Sequence, residues 1–174
     1  MKLYSYWRSS ASYRVRIALA LKGIAYEYVP IHLVKNGGAQ YSEDYRRLNP
    51  EARVPLLVDG DFRLTQSMAI LGYLETRFPQ PALLPAEAKA RAQVWAFCEA
   101  INADIQPLQN LGPLGYLTRE FNISEAQKMT WLRHWIERGL SALEQELPAT
   151  KDQGCVFGAT PTLADCLLVP QMYA

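Results

Sequence analysis

Trp7 to Gly23 reads WRSSASYRVRIALALKG: Ser9, Ser10 and Ser12 open an apolar run, and Arg8, Arg14 and Arg16 surround its start. Small hydroxyls at a helix start, flanked by cations, suit an anion, because the first amides of a helix lack intrahelical acceptors and the dipole favours negative charge there. For Ser9 alone, a plain helix cap is the simplest reading. Cys98, Cys155 and Cys166 lie elsewhere, with neither a CxxC pair nor zinc spacing, and each reads as a small buried hydrophobe. A thiolate at this helix start must therefore arrive on a ligand, where a hydroxyl and adjacent amides can donate to it. Two further pieces carry chemistry. Val54-Pro55 opens a strand; a cis proline there leaves the preceding backbone free for a peptide-like ligand, the alternative being an edge-strand start. Gln66-Ser67 opens another helix and suits a carboxylate, the alternative again being a cap.

The elements that must position these groups follow from pattern. Residues 2–6 and 26–33 read as strands around a helix that Gly23 ends, a parallel βαβ unit with Val15, Ala18, Leu19, Ile17 and Leu21 on the apolar face. Residues 34–47 are polar and irregular, broken at Gly37-Gly38. Two short apolar runs then flank Asp59-Gly60, the preferred pair for a type I′ hairpin, and a helix follows from about Gln66. The order β-α-β then β-β-α, with a mixed sheet, is the thioredoxin-like arrangement. Three prolines in residues 78–86 mark a linker between domains at 1–80 and 86–174. The second domain reads as all-helical: Val94, Phe97, Cys98, Ile101, Ile105 and Leu108 form one stripe, and Leu132, Trp135, Ile136, Leu140, Leu143 and Leu147 another. Thr162 and Asp165 fit a capping box. The final helix has so apolar a face that the natural protein is expected to continue past Ala174.

With 174 residues, 49% hydrophobic and 20% charged, the chain is ordinary for a globular protein. A net charge of +1 gives no basic field for nucleic acid or a membrane surface. No run is long and apolar enough to span a bilayer, and MKLYSYWRSS lacks an apolar signal core, so the expected location is the cytoplasm. No metal set is expected. His32 and His134 have no partner spacing that suggests catalysis and read as structural.

A thiolate pocket at Ser9, a backbone clamp at Val54-Pro55 and a carboxylate pocket at Gln66-Ser67 together match a small tripeptide thiol, glutathione. The run SSASYRVRIA, the flanking LYSYWRSS, LALKGI and LNPEARVP, then QPLQNLG at 106–112 and TLADCLLVPQ at 162–171 resemble the zeta class of glutathione transferases over the whole chain. That class includes the isomerases that convert maleylacetoacetate to fumarylacetoacetate in phenylalanine and tyrosine breakdown. The resemblance implies a glutathione transferase fold, glutathione as cofactor, a diketo-acid dicarboxylate substrate and a homodimer. It implies that Ser9 donates to the glutathione sulfur, that Ser10 and Ala11 supply amides and shape, and that Gln40 meets the glycyl end. Val54, ahead of Pro55, would pair with the cysteinyl backbone, and Gln66 and Ser67 would hold the γ-glutamyl carboxylate. Gln106, Asn110, Leu111 and Gly112 would close the glutathione site from the helical domain as further cofactor-binding residues. Arg8 and Arg14 would meet the substrate's negative groups, Arg14 joining Ser9 and Ser10 as catalytic. Arg16 reads as a surface or interface charge. Tyr4 and Tyr6, on one strand face, are an alternative thiol activator. The class carries a cysteine where Ala11 stands, and a substrate-facing arginine that is absent here. The alternatives are maleylpyruvate isomerisation, a general transferase, peroxidase or dehalogenase on the same scaffold, or a non-enzymatic binding module.

Overall fold

The computed structural model describes residues 1–147 and 153–174. They form two compact units, Met1–Leu84 with Val169–Ala174, and Pro85–Leu168. The break falls inside the proline-rich linker. The reading of 86–174 as one helical domain is corrected at its end, because the last six residues group with the first unit, where the Tyr173 ring meets that of Tyr13, centroids 6.3 Å apart.

In the first unit four strands lie in the order β2-β1-β3-β4: β1 (Lys2–Ser5), β2 (Glu27–Pro30), β3 (Leu56–Asp59) and β4 (Phe62–Thr65). β1 and β2 are parallel, while β1–β3 and β3–β4 are antiparallel. Alternation splits the sheet into two faces. Leu3 and Leu57 face α1 (Ser10–Leu21) and α3 (Ser67–Arg77), meeting Val15, Leu19, Ile70 and Leu74. Tyr4, Leu56 and Val58 face Tyr45 and Leu48 of α2 (Glu43–Leu48).

Local signals explain where the helices stop. Gly23, at φ 64°, closes α1 in a Schellman pair: its amide donates to the Ala20 carbonyl (3.0 Å) and the Ile24 amide to that of Leu19 (2.9 Å). Ile17 is half-buried and Leu21 is exposed, so the apolar face is narrower than expected. Residues 34–47, expected to be irregular, hold two 3-10 turns and the start of α2, which Ser42 caps through the Tyr45 amide (3.2 Å). Six residues reading EDYRRL show too few apolar positions for a helical period to be visible. The hairpin differs by one residue: Asp59 pairs with Phe62, so the turn is Gly60-Asp61. Only Gly60 has positive φ there (61°), as in a type II′ turn rather than type I′.

One buried ion pair fastens the linker to the first unit. Lys22 Nζ lies 2.8 Å from Glu75 Oε2, with side-chain exposures of 0% and 7%. The ammonium also donates to the carbonyls of Phe78 (2.7 Å) and Pro81 (2.8 Å), using all three of its donors. Glu75 accepts from the amides of Leu83 and Leu84.

The second unit holds α4 (Ala88–Glu99), which runs on through a π-helical segment (Ala100–Ile105) and a 3-10 turn (Gln106–Gln109). Then come α5 (Leu111–Phe121), α6 (Glu125–Gln145) and the start of α7 (Leu163–Tyr173). Of the first stripe, Val94, Phe97, Cys98, Ile101 and Ile105 are buried; of the second, only Leu143 is. Asp165 accepts from Thr162 at both amide (2.7 Å) and hydroxyl (3.0 Å), the carboxylate half of the expected capping box, and also from the Val156 amide (2.9 Å), while the Thr162 hydroxyl accepts from the Ala164 amide (3.3 Å). Cys98 and Cys166 are buried and Cys155 is half-buried, its thiol pushed up by desolvation and by Asp165.

Candidate functional site

The sheet topology brings the first unit's candidates to one edge. β1 and β4 run the same way, so the helix starts that follow them, at Ser9 and Ser67, share an edge. β3 runs opposite, so Val54-Pro55 at its start lies there too. Ligands of open α/β sheets gather beyond the carboxyl ends of strands, and two helix N-termini at one edge favour an anionic group.

At the thiol end, Ser9 is the N-cap of α1, its Oγ accepting from the Ser12 amide (3.2 Å). The cap and donor readings are compatible: a hydroxyl that accepts through a lone pair keeps its proton to give. The Ser12 amide is thereby satisfied, while those of Ser10 and Ala11 are the ones the helix geometry leaves for a ligand. Arg8 is exposed, its guanidinium 5.7 Å from the centroid of the Trp7 ring.

Arg14 corrects the expectation of a substrate contact. It is 1% exposed and donates from Nη1 to Ser67 Oγ (3.1 Å). Position 14 falls on the face of α1 packed against α3, so the guanidinium ties the two helix starts together instead of meeting solvent. Arg16, read as a surface or interface charge, is half-buried. It folds back on the β1–α1 connection with bonds to Ser5, Tyr6 and Trp7.

At the carboxylate end, Gln66 occupies the N-cap position of α3 at φ 68° and makes no side-chain cap. Its Nε2 donates to Glu51 Oε2 (2.7 Å). The first amides of α3 therefore carry no cap from the Gln66 side chain, with Ser67 Oγ held by Arg14 beside them. Glu51 escaped the sequence reading because it lies 15 residues before Gln66. Val54-Pro55 is cis, as expected; the strand starts only after the proline, at Leu56, and Val54 lies beyond the last ladder pairs, Tyr4–Leu56 and Leu56–Thr65.

Gln40 does not present its amide outward. It is 6% exposed, Nε2 donates inward to the Leu33 carbonyl (3.1 Å), and Gly38 lies so close over the amide that a Cβ there would collide with it. The neighbouring loop encloses an open hollow of about 450 Å³, lined by His32, Lys35, Asn36, Gly37, Gly38 and Ser42. His32 is structural, Nδ1 accepting from the amides of Val34 (3.3 Å) and Lys35 (2.9 Å). Tyr4 turns to the α2 face against Tyr45 (5.9 Å) and Tyr6 lies between Trp7 and His32, so the two tyrosines occupy different clusters.

In the helical unit, Gln106 opens the 3-10 turn, and Asn110 caps α5 with its Oδ1 accepting from the Leu111 amide (2.8 Å). Leu111 and Gly112 form the first turn of α5 and are exposed. A separate cavity of about 440 Å³ is lined by Asp104, Leu108, Trp135, Arg138 and neighbours, and by none of the candidate site residues.

Comparison with known proteins agrees with this geometry. Residues 1–76 match the N-terminal domain of glutathione S-transferases. Maleylacetoacetate isomerase of Pseudomonas aeruginosa is 48% identical over 175 residues, spanning 100% of this chain and 81% of its own length. The holo structure of a maleylpyruvate isomerase, a bacterial glutathione S-transferase of the zeta class, superposes with a TM-score of 0.94 at 45% identity, covering 99% of this chain and 81% of that one. Maleylacetoacetate isomerase from Methylobacterium extorquens AM1, solved with malonate and glutathione, gives 0.92 at 36% identity, covering 99% and 81%. The chain belongs to the zeta class of glutathione transferases, the family of the maleylacetoacetate isomerases.

Proposed function

We propose that the chain is a glutathione-dependent cis–trans isomerase that converts maleylacetoacetate to fumarylacetoacetate. The observation that carries this is the pairing, at one sheet edge, of a hydroxyl-capped helix start with an uncapped one, in a chain 48% identical to a maleylacetoacetate isomerase. The residues fit glutathione. Ser9, with the amides of Ser10 and Ala11, would receive the sulfur. Val54 would pair with the cysteinyl backbone. The first amides of α3, Ser67 and Gln66 would take the γ-glutamyl carboxylate, with Glu51 facing the adjacent amino group. The Lys35 hollow is a better match for the glycyl carboxylate than the inward-turned Gln40.

Bound glutathione supplies a thiol whose reversible addition to a carbon–carbon double bond frees rotation about it. The chain's own groups make that thiol acidic: the hydroxyl proton of Ser9, two amides and the α1 dipole all favour the ionised form. Arg14 keeps Ser67 oriented for the ligand, a positioning role in place of the catalytic one expected. Arg8 is left as the arginine available to a substrate carboxylate, and Gln106, Asn110, Leu111 and Gly112 as helical-unit groups for the substrate. Ala11 in place of the family cysteine leaves the reaction intact, because the reacting thiol comes with the cofactor. A cytoplasmic homodimer acting in aromatic amino-acid breakdown completes the proposal.

Maleylacetoacetate turnover with and without glutathione tests it, and glutathione-independent or absent turnover sinks it. The superposition with a maleylpyruvate isomerase favours that substrate as the second reading. Assaying both substrates side by side decides by kcat/KM.

A further inference from the structure

Arg16 lies two residues beyond Arg14 on α1 and serves the other end of the ligand site. Helical side chains lean toward the N-terminus of their own helix, which carries this guanidinium back past the cap. Nη1 donates to Ser5 Oγ (3.0 Å) and to the Tyr6 carbonyl (3.1 Å), and Nη2 donates to the Trp7 carbonyl (3.0 Å). Tyr6 to Ser9 is a turn closed by the Ser9 amide, which donates to that same Tyr6 carbonyl (3.0 Å). One oxygen thus holds both Ser9 and Arg16. Ser5 is fully buried at the end of β1, so the clamp reaches from the core to the cap residue. The Tyr13 ring, its centroid 5.0 Å from the guanidinium carbon, helps fix the plane of the fork.

We propose that Arg16 is the positioning residue of the thiolate subsite, holding Ser9 through the shared Tyr6 carbonyl and placing a fixed positive charge behind the turn. This rests on the reading above that Ser9 meets the glutathione sulfur. The two arginines then divide the site: Arg14 acts through Ser67 on the carboxylate end and Arg16 through Tyr6 on the thiol end. Lysine cannot replace the fork, since it offers a point charge without the planar set of donors that spans three acceptors.

The test titrates the thiol of bound glutathione by its ultraviolet thiolate absorbance in wild type, Arg16→Gln and Arg16→Lys. Calorimetry with S-methylglutathione, which has no ionisable thiol, runs beside it. In wild type the bound thiol should ionise at lower pH than the free one. Arg16→Gln should hold about tenfold less thiolate at a pH below the bound thiol's midpoint, a shift of one pH unit, and Arg16→Lys should fall between. S-methylglutathione affinity should change by less than about threefold in either variant. An Arg16→Gln titration that overlays the wild type overturns the proposal, and so does an S-methylglutathione affinity that falls as far as the thiolate does. A wild-type protein whose bound glutathione titrates like free glutathione overturns the Ser9 reading itself, and this proposal with it. Should Arg16→Gln unfold, Arg16→Lys carries the same comparison, and an unshifted titration there is equally fatal.

Discussion

Ser9 combines two functions that one substitution can separate. Its Oγ caps the Ser12 amide and its proton is available to a sulfur. Ser9→Ala is expected to cost about 1 kcal/mol of stability from the lost cap and about a hundredfold in turnover from the lost donor. Melting curves read the first effect and kcat the second; full turnover in a destabilised protein would leave Ser9 as a cap only. Ser67→Ala removes one acceptor of Arg14 and a ligand hydroxyl together. Glutathione binding by calorimetry should weaken about tenfold, the cost of one charge-assisted bond. Tyr45 gives the pH prediction. Burial pushes its hydroxyl up to about 12, with Tyr4 adding to the rise and the Asn49 side chain opposing it. Between pH 10 and about 12 the unfolded chain has released this proton while the folded one keeps it, so stability falls with rising pH there, by up to about 1.4 kcal/mol per unit. Below pH 10 this group contributes no slope. Denaturant midpoints measured across that window should fall more steeply in wild type than in Tyr45→Phe, since Tyr73, also pushed up by its bond to Asp59, is common to both.

Among the elements, those with a local signal were legible. Gly23, the prolines of the linker and the Thr162–Asp165 box each announce a boundary within a few residues, and the serine pair announces the α1 cap. What the sequence hid depends on partners far along the chain. Arg14 looks like its neighbour Arg16, yet its burial follows from Ser67, 53 residues on. Lys22 reads as an ordinary charge at a helix C-terminus, and only the carbonyls 56 and 59 residues later reveal it as buried. Glu75→Gln leaves that ammonium without its counter-charge and should destabilise by about 3–5 kcal/mol, whereas a Lys22→Met, Glu75→Leu double variant should recover much of the loss. Equilibrium unfolding of the three proteins checks it; additive losses in the double variant would contradict the pair. The π-helical segment carries a second fine constraint. A Cβ on Gly139 would collide with the Ile105 side chain, so Gly139→Ala should cost about 1–3 kcal/mol through overpacking.

At the scale of the molecule, the first unit carries every residue proposed to touch glutathione. A ligand that binds only the folded state stabilises it by mass action, about 2.7 kcal/mol at a hundred times its dissociation constant. Scanning calorimetry with glutathione should therefore shift the transition that includes the thioredoxin-like unit, and Ser67→Ala should blunt the shift. A transition indifferent to glutathione at that concentration would contradict the assignment. The second unit was legible as helical but not in its detail, since the half-buried stripe of α6 and the fully buried stripe of α4 have the same period.

The polar contacts that Lys22 and Glu75 make with the linker all run to its backbone. Lys22 binds carbonyls at 78 and 81, and Glu75 binds amides at 83 and 84. Almost any residue supplies those atoms, so these bonds fix the route of 78–84 without fixing its spelling, which is constrained instead where side chains pack into the core, at Phe78, Leu83 and Leu84. Proline alone is barred at 83 and 84 by the bonds themselves, having no hydrogen to give. Two side chains outside the segment thus hold the memory of its path.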